Sequence, residues 1–288
     1  MPIDVASYLK FTPTDNTGSF AADAEGHVYY DDSEAQLKHY DGSNWGKVSK
    51  DLTYGVTPGY GPYTVDDNTS LLIHSDTSDT STTFDDSSSS DHTITANGDA
   101  QHKTAQAKIG ATSMYFDGTG DYLNLNHSAT AFQFGTDDFT VDLWIWPDSD
   151  CFDGSYDTYI IGSTMVDDND QSGYDYFNIN LESSNGYRAG EWHNPGVVGS
   201  TLTAGSSTIP LDQTWTHVAF VKSGDNALLF QNGEIIDQTT GYDNYIYNGD
   251  TTLNIGAYVN GTLTWKGYMD EIRYSKGIAR WTSNFEVY

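Results

Sequence analysis

The chain has 288 residues and a formal net charge of -29, with 41 Asp and Glu against 12 Lys and Arg. Affinity for nucleic acid or an anionic membrane is built on clustered cations, so this balance excludes both as expected partners. Cys151 is the single cysteine, which rules out an intramolecular disulfide and leaves packing, or a metal, to hold the fold.

No run comes near the roughly 20 apolar residues of a spanning helix, so no membrane insertion is expected. The opening MPIDVASYLKF has neither a basic start nor an apolar run, and no secretion signal is expected from it. Aromatic residues make up 14% of the chain and no segment sustains a helical period, so the expected class is all-β.

From Gly26 the chain reads GHVYYDDSEAQLKHYDGSNWGKV. Val28 to Tyr30 and Leu37 to Tyr40 are short aromatic strands, and Asp41-Gly42 turns the chain toward Trp45. Such a meander is too small to be stable alone. Glu25, Gly26, Val28 to Asp31, Leu37, Tyr40 to Gly42 and Trp45 together resemble the attachment hairpins of bacteriophage tail-fibre and other virion proteins. The resemblance implies that residues 1–50 dock onto other virion proteins or form a homo-oligomer, a trimer being favoured; the alternative is a hairpin that packs on the main domain. Residues 51–69 carry Pro58-Gly59 and Gly61-Pro62 without an apolar period and are expected to be a linker.

The main domain is expected over residues 70–288. Leu71 to Ile73 open it, and the Ser, Thr and Asp-rich stretch from Ser75 to Thr93 follows. Its composition is that of a disordered segment, but Phe84 and Ile94 interrupt it at strand-like intervals, so ordered turns are favoured. Ser113 to Leu125 reads as two strands around Asp117-Gly118-Thr119-Gly120. In the next strand Phe139, Val141, Leu143 and Ile145 alternate with Asp142, Trp144 and Trp146. Two readings compete for that second face. Trp144 and Trp146 pack beneath loops, or with Asp142 they form a glycan-binding surface, since flat rings suit pyranose faces.

Tyr159 to Gly162 and Tyr176 to Leu181 are further strands, and the loop between them, Asp167-Asp168-Asn169-Asp170, lacks the Gly and distal Glu of an EF-hand. Gln213 to Lys222 and Ala227 to Ile236 form a long hairpin pair, with Asn232-Gly233 as the turn. His217 is expected to be structural, and His74, His92, His102 and His127 read as scattered in loops. The closing stretch alternates from Leu253 to Tyr258 and again from Gly267 to Tyr274 across Asn260-Gly261, which predicts paired strands.

Three of these elements carry a family pattern. Ser113, Met114, Phe116 to Gly118 and Gly120 to Leu123 form one; Trp215, His217 to Ala219, Val221 and Lys222 a second; Gly267 and Asp270 to Arg273 a third. Together they resemble LamG-like, concanavalin A-type domains. The resemblance implies an antiparallel two-sheet jelly-roll sandwich whose last strand closes the sheet beside the first. It also implies a structural Ca²⁺ held by Asp270 with Asp76 or Asp79, the alternative being an Asp270 paired with Arg273.

Glucanases of this superfamily place two Glu around an Asp on one strand face, and no such pattern occurs. Asp270 and Glu271 are adjacent, hence expected on opposite faces and unable to act as a pair. The expected role is therefore a non-enzymatic virion component, located on the particle, whose jelly roll binds host-surface polysaccharide. A decoration protein without ligand and a polysaccharide-cleaving enzyme are the alternatives.

Overall fold

A computed structural model describes residues 28–31, 36–40, 45–47, 62–127, 132, 134, 136–151, 157–166, 174–182, 186–192, 201–203, 213–242, 251–258 and 261–287. The acidic loop 167–170 lies outside them. The chain divides into two units, Met1–Pro58 and Gly59–Tyr288. In the first, β1 (Val28–Asp31), β2 (Gln36–Tyr40) and β3 (Trp45–Lys47) form an antiparallel meander, with Tyr29 opposite Lys38 and Tyr40 opposite Trp45.

The second unit holds β4 (Thr69–Ile73), β5 (Ile94–Asn97), β6 (Gln101–Lys103), β7 (Ser113–Asp117), β8 (Tyr122–His127), β9 (Phe139–Pro147), β10 (Thr158–Val166), β11 (Tyr174–Glu182) and β12 (Gly186–Trp192). It continues with β13 (Thr201–Thr203), β14 (Thr216–Ser223), β15 (Asn226–Gln231), β16 (Glu234–Thr240), β17 (Thr251–Ile255) and β18 (Lys266–Lys276). No helix occurs among the described residues.

A seven-stranded sheet runs β13-β12-β11-β10-β17-β8-β5, and an eight-stranded one runs β16-β15-β14-β9-β18-β7-β6 with β4 also on β18. Every pairing is antiparallel. Period-two alternation sends one set of side chains into the space between the sheets. Leu123, Leu125, Ile161, Ile179, Leu253 and Ile255 come from one sheet, and Met114, Phe116, Val141, Leu143, Ile145, Phe220, Met269 and Ile272 from the other. All eight-sheet members of that set are fully buried, each contributing about 1.5–3 kcal/mol.

The paired strands expected at the end of the chain do not pair with each other. β17 lies in one sheet and β18 in the other, and the chain crosses between them after Ile255. β7 and β8 flank their turn in the same way. Alternation reports that a strand is half-buried, and two strands facing the core from opposite sheets alternate as cleanly as a hairpin does. Asn232 and Gly233, with φ of 48° and 78°, do make the tight hairpin turn between β15 and β16.

β18 closes beside β4, the first strand of the unit, with Ile272 opposite Ile73 and Tyr274 opposite Leu71. Its first half pairs along the same edge with β7 instead, Tyr268 opposite Tyr115. Its other edge pairs with β9 throughout, interrupted by a bulge between Asp270 and Arg273. Residues 62–68, assigned above to the linker, lie against this sheet: the Tyr63 N–H donates to Glu271 Oε2 at 2.5 Å, and Arg280 reaches Asp66 at 3.0 Å. The stretch after Ser75 is ordered, with buried Asp86 accepting the N–H groups of Leu72, Ser88 and His92.

Candidate functional site

The outer face of the eight-stranded sheet carries Asp142, Trp144, Trp146, His217 and Asp270. On β9, Asp142, Trp144 and Trp146 point away from the core, because Val141, Leu143 and Ile145 point into it. Cross-strand register places Asp142 level with Arg273 and Ala219, Trp144 level with Asp270 and His217, and Trp146 level with Tyr268. The face is thus a series of rows, and the rows differ sharply in what covers them.

The Asp142 row is sealed. Arg273 donates from Nε and Nη2 to the two Asp142 oxygens at 3.0 and 2.9 Å. His217 Nε2 meets the Tyr63 hydroxyl at 2.9 Å and Asp142 Oδ2 at 3.5 Å, and the guanidinium lies 4.0 Å above the Tyr63 ring. Trp281 stacks on Phe285 at 4.0 Å, and these two with Ala279 cover Ala219, Val221, Leu228 and Phe230 in a second apolar cluster. Burial alone would raise the Asp142 carboxyl, but the Arg273 charge and the His217 hydrogen bond hold it at about 2. Asp142 is fully buried and Trp144 is 5% exposed, so neither belongs to a glycan-facing surface. Both are corrections: the tail and Tyr63 close over one, and Lys108, whose Nζ sits 4.0 Å above the Trp144 ring, closes over the other.

The three carboxylates expected to hold calcium meet instead on one loop. Asp79 Oδ1 accepts the Thr104 N–H at 2.9 Å, Asp270 Oδ2 accepts those of Lys108 and Ile109 at 3.0 Å each, and Asp76 Oδ1 accepts that of Ala111 at 2.8 Å. Gly110, at φ +71°, lets the backbone come this close, since a Cβ there would overlap Asp76. Calcium needs six to eight oxygens around one point. These carboxylates spread along residues 104–111, and Asp270 gives Oδ2 to two N–H groups and Oδ1 to the Glu271 N–H, so the donor set does not fit the ion. Burial, with Glu271 beside it, pushes Asp270 up to about 7 against the pull of those N–H bonds. Asp99, Asp117 and Asp121 do lie close together, but Asp121 spends its two oxygens on the Asp99 and Asp117 N–H groups.

Asp270 and Glu271 also share a face, contrary to the expectation of opposite ones. Met269 and Ile272 both enter the core, so the two residues between them face outward. Glu271 takes a φ of 50°, the extra residue of the bulge, held by its bonds to the Tyr63 N–H and to His74 Nδ1 at 2.6 Å. At 0% and 1% exposure neither is open to a substrate. The histidines are less scattered than expected. His102 is buried on β6, bonded to Ser75 and stacked on Phe84, and His74 pairs with Glu271, which raises its pKa.

One row toward the start of β18 the cover ends. Tyr115 of β7, Tyr268 of β18, Trp146 of β9 and Trp215 just before β14 lie side by side, all half-buried. The tyrosine rings are 4.7 Å apart and the tryptophan rings 5.8 Å. Gly267, at φ +134°, keeps β18 tight against β9 here, because a Cβ would strike the Trp146 carbonyl at 2.2 Å. Beyond the rings comes a charged row: Asp117 opposite Lys266, then Asp148, whose N–H bonds the Lys266 carbonyl at 3.1 Å. Burial raises both phenols, with Asp148 adding to each. Of these aromatics sequence reasoning singled out only Trp146 as a ligand candidate. Tyr115 and Trp215 sat inside recognised elements, and the signal that would have found them is outward parity on adjacent strands.

The family model described as Concanavalin A-like lectin/glucanases superfamily matches residues 117–278. No curated protein matches the chain in sequence. Among solved structures, the binding domain of Paraclostridial Mosquitocidal Protein 1 is similar at 14% identity and a TM-score of 0.52, over 73% of this chain and 49% of that one. Domain 4 of AbnA, an extracellular arabinanase from Geobacillus stearothermophilus solved with arabinotriose, is similar at 18% identity and 0.52, over 74% and 94%. The receptor binding domain of botulinum neurotoxin mosaic serotype C/D gives 15% and 0.54, over 74% and 48%. The chain therefore spans about half the length of the toxin binding domains it resembles, and at these identities the likeness is one of fold.

Proposed function

Because the chain belongs to the concanavalin A-like lectin/glucanases superfamily, we propose that it is a non-catalytic binding protein of a bacteriophage particle, holding host-surface glycan on the row Tyr115, Tyr268, Trp146 and Trp215. In this reading residues 1–50 attach it to other virion proteins as a homotrimer, in keeping with their likeness to tail-fibre hairpins. The observation that carries the glycan reading is the row itself. Four neighbouring rings stay half-exposed beside a stretch of the face that Tyr63, Lys108 and the tail close. Flat aromatic surface of this kind suits the apolar faces of sugar rings. The similar structures described as toxin binding domains, and the arabinanase domain solved with arabinotriose, agree with a binding role.

The test is a glycan array followed by calorimetry with the full chain and a Trp146→Ala, Tyr268→Ala double variant. Two lost stacking contacts weaken binding about tenfold or more. Undiminished binding by a folded double variant removes the row from the function. A wild-type chain that binds no host glycan is instead the decoration protein without ligand, and release of reducing sugar from host polysaccharide would make it an enzyme.

A further inference from the structure

The charged row beside the rings says which sugars the site favours. Asp117, Lys266 and Asp148 are level across β7, β18 and β9, one step outward from Tyr115, Tyr268 and Trp146. The one cation in that row is already engaged, since Lys266 Nζ bonds Asp150 Oδ2 at 2.6 Å. Three carboxylates against one ammonium leave the rim negative, within a chain whose net charge is -29. Asp148 follows Trp146 by two residues, and its N–H bond to the Lys266 carbonyl at 3.1 Å sets it at the end of the ring row.

One row inward the protein shows what this combination holds. There Trp144 and Asp270 are cross-strand partners, and Lys108 Nζ sits 4.0 Å above the indole ring, where burial lowers the Lys108 pKa and Asp270 pulls the other way. In the next row Trp146 has Tyr268 as its cross-strand partner, both rings are half-exposed, and Asp148 stands two residues beyond Trp146. A ring face attracts an ammonium through its quadrupole, and a carboxylate at the edge adds charge to that attraction. The same carboxylates repel uronates, sialates and phosphates.

Resting on the glycan reading of the row, we propose that its ligand is an amino sugar bearing a free ammonium, selected over N-acylated and acidic saccharides by Tyr268, Trp146 and Asp148. The full chain is titrated at about pH 6, where a sugar amine is protonated, with oligomers of glucosamine, N-acetylglucosamine and galacturonate. Glucosamine oligomers are expected to bind about tenfold more tightly than the acetylated ones. Asp148→Asn abolishes that preference while sparing the acetylated ligand, and salt narrows it. Equal affinities, or a preference for galacturonate, with Trp146→Ala still abolishing binding, overturn the ammonium and leave the glycan reading standing. No binding to any of the three also overturns the ammonium and leaves the glycan reading to the array, whereas binding indifferent to Trp146→Ala overturns both.

Discussion

Asp142 and Trp146 stand four residues apart on one strand, on one face of one sheet, and their surroundings are inverted. The charged residue is fully buried, and the large aromatic one is half-exposed. Around Asp142 both carboxylate oxygens are bonded by Arg273, His217 Nε2 meets the Tyr63 hydroxyl beside them, and the tail packs over the neighbouring apolar cluster. Around Trp146 the rings meet one another and the solvent. The contrast teaches that on this fold the outer face is sorted by what lies across it. A residue's own polarity does not say whether it is covered.

The largest test of that contrast removes the cation from the sealed row. Arg273→Ala strands a buried carboxylate and is expected to cost about 3–5 kcal/mol, read by denaturant unfolding. A loss under 1 kcal/mol would mean that water reaches Asp142. Acid makes the same point on the unaltered chain. The folded Asp142 value of about 2 lies below its ordinary 3.8, so its contribution is complete above pH 4 and is lost as pH falls toward 2. That amounts to roughly 2–3 kcal/mol, and a stability profile of Arg273→Ala should lack it.

Trp281→Ala uncovers the second cluster, removes a ring that lies 5.8 Å from the Arg273 guanidinium, and is expected to cost about 2 kcal/mol in the same assay. The counterpart in the open row is smaller still. Trp146→Ala should change stability by about 0.5–1 kcal/mol at most while reducing glycan affinity, and a larger loss of stability would place Trp146 in the sealed region after all.

The strands were legible from sequence because period two follows from a half-buried pleat, and so was the closure of the last strand beside the first. The alternation of Phe139 to Trp146 was likewise visible, but it could not say that Tyr63, Lys108 and Trp281 fold back over part of it. Those segments approach from far along the chain. The bulge was invisible for another reason. One extra residue with positive φ at Glu271 shifts the inward set from Met269 to Ile272, and nothing in the letters DEIR distinguishes that from an unbroken strand. Asp76, Asp79 and Asp270, expected around one ion, instead accept amide protons spread along residues 104–111.

β18 is the last strand made and the one on which β4, β7 and β9 all pair. Contacts such as Arg280 to Asp66 or Asn68 to Lys276 join residues more than 200 positions apart. Such closures must bear the loop entropy before any contact rewards it, which makes folding slow. During synthesis, then, β4, β7 and β9 leave the ribosome with their shared partner still unmade. Their edges wait, open to one another and to neighbouring chains, until β18 emerges, so aggregation during production is set by the interval before that strand is made.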